Sequence, residues 1–239
     1  MPAAFPSGDV YLALETSGPR GSVAVAAGSR VLARAVLDSQ FSHAADLIPR
    51  ISATLDEAGV GTGDLVGVVV GGGPGSFTGV RVAAATGKGI AHALDLPMWA
   101  FSSLEAGAVA EWVPPQGPPF DCFRYVLFDA RGDRVYAACY RVGADFVEEL
   151  VAPHATHVGA LLASDILPLA AFVGDGAVRH EELLRTQGHR VMLPPAGVPT
   201  ADGLLHLLSL RPGSSPVARA DRWEPEYVRG SSAERARVG

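Results

Sequence analysis

The chain has 239 residues, of which 48% are hydrophobic and 18% are charged, and its formal net charge is −6. A chain of this length buries either one large core or two lobes of about 100 residues each. The acidic balance argues against an independent electrostatic grip on nucleic acid, because such binding normally needs a basic face. We therefore expect any contact with RNA to depend on a partner.

The composition also bears on where the protein acts. The longest apolar stretches, such as Leu65–Val70, are far shorter than the roughly 18 residues that a membrane helix requires. No cationic residue precedes an apolar run at the N-terminus, as it would in a secretory signal. Two cysteines, Cys122 and Cys139, are too few for a disulfide scaffold and lack metal-ligand spacing. We expect a cytoplasmic protein without a membrane span.

The first part of the chain predicts a meander followed by helices around a buried strand. Three apolar segments separated by glycine turns indicate antiparallel strands: residues 10–15, 22–27 and 30–37. Ser42 is a candidate cap for an amphipathic helix over 43–59 that ends at a glycine, and Pro49 is expected to kink or restart it. The apolar run 65–70 predicts a strand covered on both faces, and a glycine-rich loop and a second helix over 80–94 follow.

The second part repeats this layout after a proline-rich boundary, WVPPQGPPF, which follows a helical stretch over 103–112. A hairpin around ARGD joins strands 125–129 and 134–141. The same order of strand, acid, glycine turn and strand occurs in two segments, LALETSGPRGSVAVAAG and VLFDARGDRVYAACYR. A strand over 170–173, a helix to about 186 and a last helix over 201–210 complete the series.

This doubled pattern predicts an α/β protein of two similarly built lobes. We place the N-terminal lobe at residues 9–104 and the C-terminal lobe at 105–199. Residues 200–228 are expected to return to the N-terminal lobe as a helix and a strand-like segment, and 229–239 to form a tail. The locally basic stretch from Arg219 onward is interpreted as solvated rather than as an RNA contact.

The most informative segment is GGGPGSFTGVR at Gly71–Arg81, between the buried strand and the second helix. Glycine lets a ligand or another chain approach the backbone closely, and the N–H groups near Thr78 to Arg81 would favour an anion. The spacing matches neither the P-loop nor the dinucleotide fingerprint. The candidate nucleotide- or anion-binding residues are Glu15, Thr16, Gly75, Ser76, Thr78, Arg81, Asp129 and Asp175. For Asp129 and Asp175 the sequence favours a turn-stabilising role over binding.

The helix after this loop carries a ridge of small residues at four-residue intervals, which permits close packing of another helix. The ridge either docks a partner protein or packs within its own lobe, and the spacing leaves both open. The ridge and the apolar face of the preceding helix supply the candidate partner-interface residues: His43, Leu47, Ile51, Gly79, Val80, Ala83, Gly87 and Ala91.

The motifs LALETS, GGGPGSFTGVR, FDAR, FVGDGA and PEYVR occur in this order, and with them the chain resembles the TsaB family over nearly its whole length. The resemblance implies the actin, sugar kinase and Hsp70 type of fold, with two ribonuclease-H-like lobes. It also implies a role in holding and activating a homologous catalytic subunit, TsaD, with the ATPase TsaE. This complex transfers threonylcarbamoyl to the adenosine beside the anticodon of ANN-decoding tRNAs.

The residues support a subunit without catalysis of its own. The catalytic relative carries a His-Leu-Glu-Gly-His metal motif, and the matching stretch here is Ser103-Leu104-Glu105-Ala106-Gly107. Both imidazoles are replaced, so we expect no catalytic residue and no metal site. Nucleotide and Mg²⁺ are expected only at the level of the complex, since Glu15 stands where family members usually have aspartate. An independent ATPase, direct tRNA binding by the isolated chain, and a homodimer in the absence of TsaD are the alternatives.

Overall fold

The computed structural model describes residues 8–37, 43–110, 122–164, 166 and 170–225. The chain divides into two compact units. Unit 1 runs to Ser103 and resumes at Pro199, and unit 2 comprises Leu104–Val198. No helix among the described residues is long and apolar enough to span a membrane.

Unit 1 is built on a five-stranded mixed sheet in the order β3-β2-β1-β4-β5. The strands are β1 (Val10–Glu15), β2 (Gly21–Ala27), β3 (Arg30–Leu37), β4 (Leu65–Gly71) and β5 (Met98–Phe101). The first three pair antiparallel, whereas β4 pairs parallel with both β1 and β5. All six residues of β1 are buried, because the sheet is covered by helices on both faces.

Three helices cover this sheet: α1 (His43–Ala58), α2 (Phe77–Ala93) and α7 (Ala201–Leu210). Alternate residues of β1, such as Leu12 and Leu14, share one core cluster with Leu47 and Ala83 of α1 and α2. The helix α7 is absent from that cluster and contacts β1, β2 and β4, so it covers the other face. The helix α7, which follows unit 2 in the sequence, therefore completes unit 1.

Unit 2 repeats the same topology with a second mixed sheet in the order β10-β9-β6-β7-β8. Its strands are β6 (Cys122–Asp129), β7 (Arg134–Val142), β8 (Val147–His157), β9 (Ala171–Val173) and β10 (Arg190–Val191). Its helices are α4 (Val158–Leu162), α5 (Asp175–Arg179) and α6 (Glu181–Thr186). The helix α3 (Ser103–Val109) leads from unit 1 into unit 2.

In each unit an antiparallel meander is extended by two parallel strands on the side of its first strand. This is the strand order of ribonuclease-H-like lobes, and it confirms the predicted α/β fold class. Gly59 takes a left-handed φ of 68° directly after α1, which confirms the predicted glycine stop. The predicted serine cap at Ser42, the proline-rich boundary and the tail lie outside the described residues.

Four expectations about individual elements were wrong. Of the two alternatives at Pro49, the restart is wrong: α1 continues through the proline, because the buried side chains of Leu47, Ile51 and Leu55 hold both halves on the sheet. The helix α2 begins at Phe77, three residues before the predicted start at Val80, because Ser76 caps it. The predicted single helix to residue 186 is divided at His180 into α5 and α6. The strand β8 is missing from the predicted elements, because the five polar residues among its eleven break the regular alternation that indicates a strand.

Candidate functional site

Three consecutive residues at the carboxyl end of β1 hold the glycine loop. The Glu15 carboxylate accepts hydrogen bonds from the Ser17 N–H at 2.6 Å and from the Ser103 hydroxyl at 2.8 Å. The Thr16 hydroxyl donates to the Gly79 carbonyl at 2.6 Å and accepts the Ala83 N–H at 3.1 Å. The hydrogen bonds of Glu15 and Thr16 therefore link β1 to both α3 and the first turns of α2.

The glycines of the loop are explained by this internal approach. A Cβ atom at Gly71 would overlap the Glu15 carboxylate, and one at Gly79 would overlap the Thr16 carbonyl oxygen. At Gly75, where φ is 159°, a Cβ would lie 2.5 Å from the carbonyl oxygen of Ser17. The close approach that the sequence predicted for a ligand or another chain is thus made by the chain's own first strand.

Glu15 is one of the candidate nucleotide- or anion-binding residues, but the structure uses its carboxylate within the chain. Its side chain is fully buried in unit 1, and both carboxylate oxygens already accept hydrogen bonds. Burial raises the pKa of Glu15, and the hydrogen bonds from Ser17 and Ser103 act in the opposite direction. The extra methylene relative to aspartate carries the carboxylate to Ser103, and the residue stabilises the interior of the unit.

At the start of α2, two of the backbone N–H groups expected to bind an anion donate to Ser76 instead. The Ser76 hydroxyl accepts the Gly79 N–H at 3.3 Å, and the Ser76 carbonyl accepts the Val80 N–H at 2.9 Å. These amides of the first turn are therefore used within the chain. The Arg81 guanidinium lies 3.5 Å over the ring of Phe77, and both side chains are exposed on the first turn together with Thr78.

In unit 2, Asp129 and Asp175 lie together and stabilise the chain reversals at the ends of β6 and β9. Asp129 accepts the Arg131 N–H at 2.8 Å and pairs with Arg179 at 2.9 Å. One carboxylate oxygen of Asp175 accepts the N–H groups of Asp129 and Gly176, at 3.2 and 2.9 Å. Burial raises the pKa of Asp175 despite these hydrogen bonds. These contacts match the turn-stabilising alternative for both acids.

The small-residue ridge of α2 faces the unit's own sheet, so the predicted partner interface along this ridge was wrong. A Cβ at Gly87 would overlap Cγ1 of Val70 in β4, and Ala83 is fully buried. The other candidate interface residues with described side chains are buried in unit 1 as well: Leu47, Ile51, Gly79, Val80 and Ala91. The small residues let α2 approach the strands closely. The side chain of His43 lies outside the described atoms.

The opposite side of the same two helices is open. Phe77 is 59% exposed and Ile48 of α1 is 55% exposed, and a second series of small residues, Ala85, Gly89 and Ala93, is exposed along α2. We call Ile48, Phe77, Arg81 and this small-residue series the outward face. Sequence reasoning missed it, although the four-residue spacing of Ala85, Gly89 and Ala93 was a signal. Because this series and the small-residue ridge have the same four-residue spacing, periodicity alone could not determine which of them faces the core.

The stretch Ser103–Gly107, at which we expect no metal site, lies in α3. Ser103 is buried through its contacts with Glu15 and with the glycine loop, and Glu105 is buried as well. Within the described part of the chain, no group of three or more His, Cys, Asp or Glu side chains is arranged to hold a metal ion.

Comparison with known proteins identifies relatives of this chain. The family model described as TsaD, tRNA N6-adenosine threonylcarbamoyltransferase, matches residues 37–202. The tRNA threonylcarbamoyladenosine biosynthesis protein TsaB of Bacillus subtilis is 32% identical over 59% of this chain, and the match spans 58% of the relative's length. An uncharacterised protein of Mycobacterium tuberculosis is 32% identical over 79% of this chain and 84% of its own length.

A solved structure extends this similarity to the fold. YeaZ from Pseudomonas aeruginosa superposes with a TM-score of 0.72 and 26% identity, covering 92% of this chain and 100% of that chain. A second Pseudomonas aeruginosa structure, described as similar to peptidase YeaZ, gives a TM-score of 0.76 at 28% identity, with the same coverage. The family model shows that this chain is related to the TsaD family. The TsaB relatives, and the fold that the chain shares with YeaZ, show that it belongs to the TsaB family.

Proposed function

We propose that this chain is a non-catalytic subunit of the complex that forms threonylcarbamoyladenosine in tRNA, where it docks onto a TsaD-type catalytic subunit. The biosynthetic role is carried over from the TsaB relatives, which are tRNA threonylcarbamoyladenosine biosynthesis proteins, and from the matched transferase family. In this proposal the complex acts on tRNA in the cytoplasm, a TsaE-type ATPase takes part, and tRNA reaches this subunit only through the complex.

The observation that carries the docking role is the outward face of α1 and α2. Phe77 and Ile48 are each more than half exposed, and Arg81 stacks on Phe77. Aromatic side chains, phenylalanine included, and arginine are enriched at protein interfaces relative to the rest of the surface. The small residues Ala85 and Gly89 would admit a partner helix at short distance. In the absence of the catalytic subunit, the same face is proposed to pair two copies of this chain.

The contacts of the acidic residues support the absence of catalysis by this subunit. Glu15, Asp129 and Asp175 each accept hydrogen bonds within their own unit, which suits structural roles. We therefore assign no nucleotide or metal to this subunit itself, and place any ATP, ADP or Mg²⁺ requirement with the complex.

Docking is tested by binding of the purified TsaD-type subunit from the same genome to single variants. Ile48→Asp and Phe77→Ala are each expected to weaken binding on the order of tenfold or more while leaving the chain folded. Val36→Asp is the matched control, because Val36 in β3 is 53% exposed in the same unit but lies away from the outward face. Unchanged affinity of both test variants would contradict the proposed face.

The functional role is tested by reconstituting tRNA modification from purified subunits and leaving each out in turn. Modification is expected to require this chain together with the catalytic subunit, and the isolated chain is expected to turn over no ATP. ATP hydrolysis by the isolated chain that disappears in Glu15→Ala or Asp129→Ala would instead support the independent ATPase. Salt-sensitive tRNA binding by the isolated chain would contradict a role confined to the complex.

A further inference from the structure

The buried carboxylate of Glu15 lies at the centre of a hydrogen-bond network that the proposed function does not use directly. Ser103, which donates its hydroxyl hydrogen to Glu15, also accepts the Gly73 N–H on the same oxygen at 3.2 Å. The backbone N–H of Ser103 donates to the Gly73 carbonyl at 2.8 Å. The carboxylate thus orients the Ser103 hydroxyl, and Ser103 holds the middle of the glycine loop.

The second carboxylate oxygen of Glu15 is connected to the start of α2 through Ser17. It accepts the Ser17 N–H at 2.6 Å, and the Ser17 carbonyl accepts the N–H of Ser76 at 2.8 Å. Ser76 is the N-cap of α2. A continuous path of hydrogen bonds therefore leads from the carboxylate to the turn from which Phe77 and the rest of the outward face project.

The chemistry of this network requires an acceptor with two oxygens at this position. The Ser17 N–H can only donate, and the Ser103 hydroxyl donates to Glu15 because an ionised carboxylate can only accept. A buried donor without an acceptor is costly, and hydrogen bonds to a charged acceptor are stronger than those to a neutral one. Gly71 leaves the space that the carboxylate occupies, since a Cβ there would overlap it.

We propose that Glu15 is a positioning residue that orders the glycine loop from within, so that α2 is presented for docking without a bound phosphate or metal ion. The inference rests on the proposed docking function and adds to it the internal contact that prepares the docking helix. In this role the carboxylate does what an external anion would do in a glycine loop that binds phosphate: it fixes the backbone ahead of the helix.

The test compares Glu15→Gln and Ser103→Ala with Ser22→Ala. The glutamine keeps the shape of the side chain but removes its charge and replaces one acceptor with a donor. Ser22→Ala is the matched control, because the Ser22 hydroxyl oxygen accepts the Ala201 N–H at 2.9 Å in the same unit and has no part in the glycine loop. Amide hydrogen exchange across Gly72–Arg81, and affinity for the TsaD-type subunit, are measured for each variant.

We expect Glu15→Gln and Ser103→Ala to accelerate exchange at Gly73 and Ser76 and to weaken partner binding about tenfold or more. The double variant should be little worse than either single variant, because both act on one network. Ser22→Ala should lower the melting temperature without changing loop exchange or partner affinity. Wild-type exchange and affinity in Glu15→Gln would overturn the proposal.

Two further outcomes separate this inference from the proposed function. If the wild-type chain fails to bind the TsaD-type subunit, the docking proposal is wrong, and loop exchange alone then decides whether Glu15 orders the loop. If Mg²⁺ with ADP or ATP raises the melting temperature of the isolated wild-type chain and Glu15→Gln abolishes that shift, then Glu15 serves a nucleotide and the positioning role is refuted.

Discussion

Two glycines of α2, separated by one residue, provide a direct measurement of how closely this helix packs on its sheet. A Cβ added at Gly87 would overlap Cγ1 of Val70, whereas a Cβ added at Gly89 would meet nothing within 4 Å. Replacing glycine by alanine inside a helix gains about 1 kcal/mol from helix propensity at either position. At Gly87 the added methyl must also displace Val70, whose χ1 angle is restricted, and such overpacking costs about 1–3 kcal/mol.

The propensity gain is common to both variants, so their difference in free energy of unfolding isolates the steric term. Gly89→Ala is expected to be about 1 kcal/mol more stable than wild type. The free energy of unfolding of Gly87→Ala is expected to be about 1–3 kcal/mol lower than that of Gly89→Ala, so Gly87→Ala unfolds at a lower urea concentration. Urea denaturation followed by circular dichroism measures both. Equal stability of the two variants would refute the reasoning that the Gly79 to Ala91 ridge is the internal one.

Three further substitutions test other features of the fold by urea or thermal denaturation. Arg131 has a left-handed φ of 71°, so Arg131→Gly should raise the free energy of unfolding by about 0.5 kcal/mol, and a loss would show that the side chain stabilises the turn. Arg124 is buried and donates to two carbonyls at the end of α3, at 2.6 and 3.0 Å; Arg124→Met should therefore cost about 2 kcal/mol, and a neutral result would contradict this capping role. Burial lowers the pKa of His206 below its ordinary value of 6.5, so the unfolded chain binds more protons just below that pH. Stability should fall as pH decreases from 6.5 toward the folded pKa, and His206→Gln should reduce this dependence; an equal slope in the variant would exclude His206 as its cause.

Much of the fold follows from local patterns in the sequence. The strands β1 and β3 have their predicted bounds, and β2, β4 and the hairpin of β6 and β7 lie close to theirs, because apolar runs ending in acids and glycine turns are local signals. The repeat of that pattern was sufficient to predict two similarly built sheets. By contrast, β8 is an edge strand in which five of the eleven residues are polar and most residues are at least partly exposed, so its sequence lacks a clear strand pattern.

The role of the glycine loop depended on tertiary contacts. From the sequence, Gly71–Arg81 offered close approach to a ligand or to another chain, although glycine permits an approach by the chain's own strand as well. Only the position of β1 decides among them, because Glu15, Thr16 and Ser17 occupy the space that the glycines leave. The length of the Glu15 side chain is what brings its carboxylate to Ser103, which is 88 residues away in sequence.

The sequence by itself determined the family, the α/β class and the presence of a small-residue helix after the glycine loop. It could not determine which side of that helix faces outward. The helix carries two series of small residues, each spaced by four positions, one through Gly87 and one through Gly89, and their side chains have nearly the same volume. The sheet decides this: Val70 lies against the first series and leaves the second exposed. A helix face acquires its role from what packs against it, and that contact joins residues far apart in the chain.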